Sequence, residues 1–173
     1  MPNITSATAA IARHVGFPEA RARQIARRLR EDDLMPQGAP GVTPEVDRHD
    51  LLTLLIALAS DATAARAAEA VATYGALVPG GANPDGAPAS IPRTVRSVLE
   101  VLAAEGAEGQ PASPLNIEFV STWPEIALHW EDGTVSRFRQ PGALASHWEG
   151  DRIRKSITVT GAAFGALFKE VFA

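Results

Sequence analysis

The first half of the chain carries the apolar spacing of amphipathic helices. Apolar residues recur three and four positions apart in residues 6–15, 18–30, 43–59, 61–77 and 93–104. We expect Ser6 to cap the first helix and Pro18 to take the first position of the second. Thr43-Pro44-Glu45 is typical of a third helix start, and Asp61 is expected to cap the fourth helix. The third helix is apolar on nearly all sides, which predicts a central place in the core.

The pattern changes after a break at residues 105–114. Apolar and polar residues then alternate in 115–119, 126–130 and 134–139 and again around Ile157, and Asp132-Gly133 is a hairpin-turn signal. Residues 161–173 return to helical spacing. We therefore predict an α+β fold: a mainly helical N-terminal part, then a small antiparallel β-sheet and a C-terminal helix.

Breaks rich in Gly and Pro divide the sequence into three segments. We predict an N-terminal helical segment at 1–36, a helical scaffold at 42–104 and a small α+β module at 115–173. Residues 79–92 are expected to form a loop or linker. We expect the third segment to mediate self-association or to contact a protein partner.

Composition excludes several classes of protein. Apolar residues make up 46% and charged residues 21%, so a packed core is feasible. The chain has no cysteine, which excludes disulfide frameworks, thiolate metal sites and Cys nucleophiles. Its longest apolar run, residues 54–59, is far shorter than the roughly 20 residues that span a bilayer, and no signal-peptide pattern opens the sequence. We therefore expect a cytoplasmic protein without membrane contact.

Charge is distributed unevenly along the chain. The net charge is −4, from 16 basic and 20 acidic residues. Residues 1–30 contain six arginines and one acid, a local charge of +5, whereas the remainder carries −9. A cationic start on an anionic body indicates a surface that binds a polyanion.

The first two predicted helices and the turn between them carry a recurring set of residue types. Ala12 is a small residue on the inner face of the first helix, Gly16 permits a positive φ in the turn, and Phe17 can fill the gap between the helices. Ala22 and Ile25 are the apolar positions of the second helix. In these residues the segment resembles the helix-turn-helix of bacterial and phage DNA-binding proteins. The resemblance covers the first segment only and implies a second helix that enters the DNA major groove.

The arginines of the second helix lie opposite its apolar stripe. At about 100° per residue, the stripe formed by Ala22, Ile25, Ala26 and Leu29 faces inward. The outward positions are Ala20, Gln24 and Arg27, with Arg23 and Arg30 on one flank and Arg21 and Arg28 on the other. Arg and Gln make bidentate contacts with guanine and adenine edges. We therefore expect Arg23, Gln24 and Arg27 near base edges, and Arg21, Arg28 and Arg30 on phosphates.

These residues favour a non-enzymatic protein that binds double-stranded DNA sequence-specifically, as a transcriptional regulator. One such motif contacts few base pairs, so a homo-oligomer is expected. One alternative is a bacteriophage small terminase, the subunit that recognises DNA for packaging. Another is a protein-interaction module whose arginine face docks an acidic partner. A third is a solvated helix whose arginines pair with Glu31, Asp32 and Asp33. Arg13 and His14 are either backbone contacts or ordinary surface residues.

Other clusters give weaker signals. Asp47-Arg48-His49-Asp50 holds metal-ligand residue types without ligand spacing, and we expect Asp47 and Asp50 to cap a helix instead. His129 alternates with apolar neighbours and is expected to face solvent.

A platform that stacks single-stranded bases would use aromatic and basic residues: Trp123, Trp130, Trp148, Phe138, Arg137 and Arg139. Filling the core of a small sheet is the stronger interpretation of these aromatics. We predict no metal and no cofactor, since no phosphate-loop or nucleophile-elbow motif is present.

Overall fold

The computed structural model describes residues 2–39, 44–83, 85–86, 88, 90–110, 114–143 and 153–173. It contains six α-helices: α1 (Ile4–His14), α2 (Glu19–Glu31), α3 (Arg48–Ala59), α4 (Ala67–Gly75), α5 (Val95–Ala107) and α6 (Gly161–Phe172). A short 3₁₀ turn, Ala64–Arg66, precedes α4. Five strands form one sheet: β1 (Val78–Pro79), β2 (Asn116–Val120), β3 (Glu125–His129), β4 (Val135–Arg139) and β5 (Ser156–Thr160). The predicted α+β fold is confirmed.

The helix starts differ from the sequence-based expectation. The N-cap of α1 is Asn3, not Ser6: the Asn3 side chain accepts from the Ser6 amide and the Ser6 hydroxyl accepts from the Asn3 amide, each at 3.0 Å. Ser6 therefore serves the cap from the third helical position, in a reciprocal capping box. Pro18 is likewise one residue earlier than predicted, at the N-cap of α2.

The start of α3 lies later than predicted. Asp47 is its N-cap and Asp50 completes a second capping box, which confirms the expected role of this acid pair. The predicted start at Thr43-Pro44-Glu45 is wrong for Glu45, which forms an isolated bridge with Asn3; Thr43 lies outside the described residues. The amide of Val46 also donates to the Pro2 carbonyl at 3.0 Å. The segment before α3 is thus extended because it pairs with the chain that enters α1.

Asp61 caps no helix. It lies in the turn after α3 with φ 58°, and the 3₁₀ turn that follows has no side-chain cap. Its carboxylate instead accepts from Arg21 and from Lys155. Asp61, which the sequence predicts to be a helix cap, therefore makes a tertiary contact instead.

The sheet is antiparallel, with strand order β1-β4-β3-β2-β5. The Asp132-Gly133 turn joins β3 to β4 as predicted, with Gly133 at φ 82°. The segment at 79–92 is not wholly a linker, because Pro79 belongs to β1, which pairs with β4 at the sheet edge. His129 does not face solvent freely: it is half-buried and its Nε2 lies 3.2 Å from Glu118 Oε2.

One buried cluster of side chains draws on all three predicted segments. Every residue of α3 from Asp50 to Ala59 is buried, as its apolar sequence predicts. Helix α6 packs against α5 and α1, and two glycines face each other between α5 and α6. A Cβ added to Gly106 would meet the Cα of Gly165 at 3.1 Å. The C-terminal helix thereby fixes α1, and with it the predicted helix-turn-helix, to the rest of the molecule.

Candidate nucleic-acid interface

The turn between α1 and α2 contains the positive-φ glycine that its sequence predicts. Gly16 adopts φ 86° and donates from its amide to the Ile11 carbonyl at 3.1 Å, which closes the end of α1. A Cβ at Gly16 would meet nothing within 4 Å, so the constraint on this position is conformational and not steric. Phe17 is half-buried and packs on the core, as expected of the residue between the helices.

The inward-facing residues agree with the sequence-based expectation on α2 and differ from it on α1. On α2, Ala22, Ile25, Ala26 and Leu29 are at most 2% exposed, which confirms the predicted stripe. On α1 the buried residues are Ala7, Thr8, Ala10 and Ile11, whereas Ala12 is only half-buried. The position of Ala12 was therefore wrongly predicted. Helix α1 packs against α6 as well as α2, and this second contact turns its buried face away from Ala12.

The outer face of α2 presents polar side chains to solvent. Gln24 is exposed, and its amide hydrogen-bonds to no other described residue. The side chain of Arg27 is 77% exposed and that of Arg23 60%, while Arg21 and Arg28 are near 40%. The predicted outward positions Ala20, Gln24 and Arg27 are therefore exposed as the helical spacing predicts, and Arg23 on the flank is exposed as well.

Arg30 differs from the other arginines of α2 because it pairs with no carboxylate of the described residues. It is half-buried, and its Nε, like that of Arg28, has no hydrogen-bond partner in the part of the chain that the structure describes. It borders a small pocket of about 240 Å³ with Arg27 and Gln37. The Gln37 amide donates to the Arg30 carbonyl at 3.3 Å, so the segment after α2 folds back beside this flank.

Carboxylates of the same molecule pair with four of the six predicted contact residues. Arg23 Nη2 lies 2.5 Å from Glu19 Oε1, and Arg27 Nε lies 2.9 Å from Glu31 Oε1. Arg28 contacts Glu31 at 3.5 Å and Asp32 at 3.0 Å, as the alternative of internal pairing anticipated. Arg21 pairs with Asp61 at 2.9 Å.

This pairing lowers the charge that α2 presents. The helix has five arginines, and Lys155 joins them at Asp61, but Glu19, Glu31, Asp32 and Asp61 offset four of these six charges. The local excess is thus about +2 and not the +5 of the first 30 residues taken alone. Exposed pairs of this kind contribute only about 0.3–0.5 kcal/mol each, so a stronger anion can replace the carboxylates.

Asp61 is a contact residue that the sequence did not reveal. Its hydrogen bond from Lys155, opposed by partial burial and assisted by Arg21, lowers the pKa of its carboxyl. The carboxylate therefore stays ionised and links α2 to the chain entering β5. No local pattern could show this, because Arg21, Asp61 and Lys155 are widely separated in the sequence.

Arg13 and His14 face α6 and not the outer side of α2. Both contact the carboxylate of Glu170, with His14 Nε2 2.5 Å from Glu170 Oε2. The hydrogen bond with His14 is the main cause that lowers the pKa of Glu170. These contacts favour an anchoring role for the end of α1 over a contact with a DNA backbone.

The aromatic and basic residues considered for a stacking platform have other contacts where the structure describes them. Phe138 is 5% exposed in the core, and the indole N–H of Trp130 donates to Ser136 Oγ at 2.9 Å. Arg137 and Arg139 are held by Glu125 at 2.7 and 3.1 Å. Trp148 lies outside the described residues. Core filling, the stronger interpretation of this sequence pattern, therefore accounts for Phe138.

The sequence analysis also missed a network of side-chain ion pairs on one face of the sheet. Arg154 Nη2 lies 3.1 Å from both Glu118 and Glu125, and its guanidinium carbon stands 5.5 Å from the centre of the Trp123 ring. Burial would raise the pKa of Glu118, but hydrogen bonds from Arg154, Ser156 and His129 outweigh it and lower that pKa to about 2. Alternation along β2 and β3 places these acids on one face, but the partner that they share, Arg154, comes from the segment before β5.

The candidate metal cluster at Asp47–Asp50 serves other contacts. Its two carboxylates cap α3, and His49 Nδ1 lies 3.0 Å from Glu100 on α5. Among the described residues, no group of three potential ligands is placed to hold a metal ion.

Comparisons with known proteins do not relate this chain to any of them. No family model, no curated protein and no solved structure matches it. None of the described helices has the length and apolar character needed to cross a membrane.

Proposed function

We propose that this protein binds double-stranded DNA sequence-specifically through α2 and acts as a cytoplasmic transcriptional regulator. The observation that carries the proposal is the outer face of α2. There the amide of Gln24, which hydrogen-bonds to no other described residue, and the highly exposed guanidinium groups of Arg23 and Arg27 lie away from a buried stripe, on a helix that follows a positive-φ glycine turn.

In this proposal α2 enters the major groove with its outer face toward the bases. Gln24 has the paired donor and acceptor that read adenine, and Arg23 and Arg27 have the paired donors that read guanine. Arg21, Arg28 and Arg30 lie on the flanks, where groove walls bring phosphates. Because one helix reads few base pairs, two copies reading paired half-sites are needed for useful specificity.

DNA phosphates would replace the carboxylates that now hold the arginines. Each guanidinium has five N–H donors, of which the internal pairs use one or two. Glu31 is the main competitor, since it contacts both Arg27 and Arg28. The internal carboxylates therefore weaken non-specific binding and leave base contacts to decide the site.

Two kinds of substitution on α2 test the proposal: one removes positive charge and the other removes a competing negative charge. A labelled duplex is first selected from a random-sequence library with the purified protein, and affinity is then measured by fluorescence anisotropy. Replacing Arg23, Arg27 and Arg28 together with alanine should weaken binding at least about a hundredfold, at about 1–3 kcal/mol per base-reading arginine. Glu31→Gln should tighten binding a few-fold, because it frees Arg27 and removes one of the two carboxylates that hold Arg28.

Matched controls remove the same charges elsewhere. Alanine at Arg66, Arg93 and Lys169 removes three exposed cations outside α2, and Glu69→Gln breaks the exposed Arg66–Glu69 pair. We expect both controls to change affinity far less than their α2 counterparts. A library that yields no enriched duplex, or equal losses in the two triple variants, would contradict the proposal.

Salt dependence and native mass separate the modes of binding. The logarithm of affinity should fall with the logarithm of salt concentration by about 0.9 per phosphate contacted, and the α2 triple variant should show a shallower slope. Native mass spectrometry with duplex should show two copies per duplex. A ring of subunits would instead indicate a DNA-packaging subunit.

A further inference from the structure

A polar cleft lies between the helical part of the molecule and the end of the sheet. Its volume is about 580 Å³, within the range of pockets that hold small ligands. The turn after α3, the first turns of α4, the β2–β3 turn and the residues that end β4 and precede β5 form its walls. Tyr74 lines it and donates its hydroxyl to the Val120 carbonyl at 2.5 Å. Burial raises the pKa of Tyr74 to about 12, so this wall is uncharged.

The charged groups of the cleft favour an anion over a cation. Each acid is already held by a cation, Asp61 by Arg21 and Lys155 and Glu69 by both arms of Arg66 at 2.9 Å. The cations keep spare donors: the ammonium of Lys155 gives one of its three N–H groups to Asp61, and Arg66 uses two of five. Both side chains are more than 60% exposed, so these donors are accessible.

Uncommitted hydroxyl and amide groups add a second kind of contact. The side chains of Thr63, Thr73 and Gln140 line the cleft and hydrogen-bond to no other described residue. A hydroxyl both donates and accepts, and a primary amide offers two donors and an acceptor. Hydroxyl groups on a ligand complement such side chains in both directions, since each of them also donates and accepts.

We propose that the cleft binds a small hydroxyl-rich anion of the sugar-phosphate class. Lys155 and Arg66 hold the phosphate, and Thr63, Thr73 and Gln140 hydrogen-bond to the hydroxyls. The cleft adjoins one flank of α2 through the Arg21–Asp61 pair, but none of the groups proposed to bind this ligand lies on α2, so the proposal does not depend on DNA binding.

Isothermal titration calorimetry on the full chain tests this with three probes: ribose 5-phosphate, inorganic phosphate and ribose. We expect ribose 5-phosphate to bind at submillimolar concentration and about tenfold or more tighter than either of the other two, because it alone engages both sets of groups. Equal binding of inorganic phosphate would overturn the sugar part, and equal binding of ribose would overturn the role of the cations. No heat with ribose 5-phosphate at millimolar concentration would overturn the proposal.

Variants locate the site. Lys155→Met should weaken ribose 5-phosphate binding about tenfold or more, whereas Lys169→Met, at another exposed lysine, on α6, should leave it unchanged. Thr73→Val removes one hydroxyl with little change in volume and should weaken ribose 5-phosphate but not inorganic phosphate. Circular dichroism confirms that each variant is folded. Unchanged affinity in folded Lys155→Met and Thr73→Val proteins would place the ligand elsewhere and overturn the assignment.

Discussion

At the scale of single residues, Gly16 shows how one backbone angle controls the geometry of α1 and α2. Its φ of 86° is readily adopted by glycine and costs other residues about 1–2 kcal/mol. We expect Gly16→Ala to lower the free energy of unfolding by about that amount, measured by urea denaturation. Gly75→Ala is the matched control, because its Cβ meets Arg96 at an ordinary 3.5 Å inside α4. The control should be neutral or slightly stabilising, and an equal loss in both variants would contradict this account.

Glu118 makes stability depend on acid pH. Its pKa is about 2 in the folded protein and about 4.5 when unfolded, so the unfolded chain binds its proton first as pH falls. The stabilisation is complete above pH 4.5 and is lost as pH falls toward 2. We expect about 3 kcal/mol of folding stability to depend on this group, because the two pKa values differ by about 2.5 units at 1.36 kcal/mol per unit.

The variant Glu118→Gln isolates this contribution. It should be less stable than the unmodified protein at pH 7, and the difference between the two should shrink as pH falls below 4.5. Urea denaturation at a series of pH values measures both. If the free energies of unfolding of the two proteins changed in parallel with pH, Glu118 would not be the cause of the acid dependence.

At the scale of elements, capping decides where α1 begins. Asn3 accepts from the Ser6 amide at 3.0 Å, so Asn3→Ala should lower the free energy of unfolding by about 1 kcal/mol. Thr5 is exposed in the same turn, and Thr5→Ala should have little effect. Thermal denaturation followed by circular dichroism compares them. Equal losses would mean that the cap is not what fixes this helix end.

At the scale of the whole molecule, α6 connects the sheet with the helices. Phe168 is fully buried, with its ring centre 4.8 Å from that of Phe164. We expect Phe168→Ala to cost about 3–5 kcal/mol, whereas Val101→Ala, at a side chain on a residue 58% exposed, should cost little.

The same substitution tests how far α1 and α2 depend on the rest of the fold. Helix α6 packs on α1 and contacts it through Glu170, so amide protection in α2 should fall together with protection in α6. Hydrogen exchange measures this directly. Loss of protection confined to α6 would show that the first two helices fold independently.

Features of the fold that depend on local periodicity could be predicted from the amino-acid sequence alone. The buried stripe of α2, the buried α3 and the hairpin at Asp132-Gly133 follow from spacing and turn chemistry, because neighbours along the chain set them. The pairing of polar side chains from distant segments depends on how the whole chain packs and could not be predicted in this way. Asp61 reads as a helix cap and instead joins Arg21 to Lys155, and Ala12 is displaced from the inner face because α6 also packs on α1. Long-range contacts of this kind leave no periodic trace, since their partners are brought together by packing of the whole chain and not by spacing within one segment.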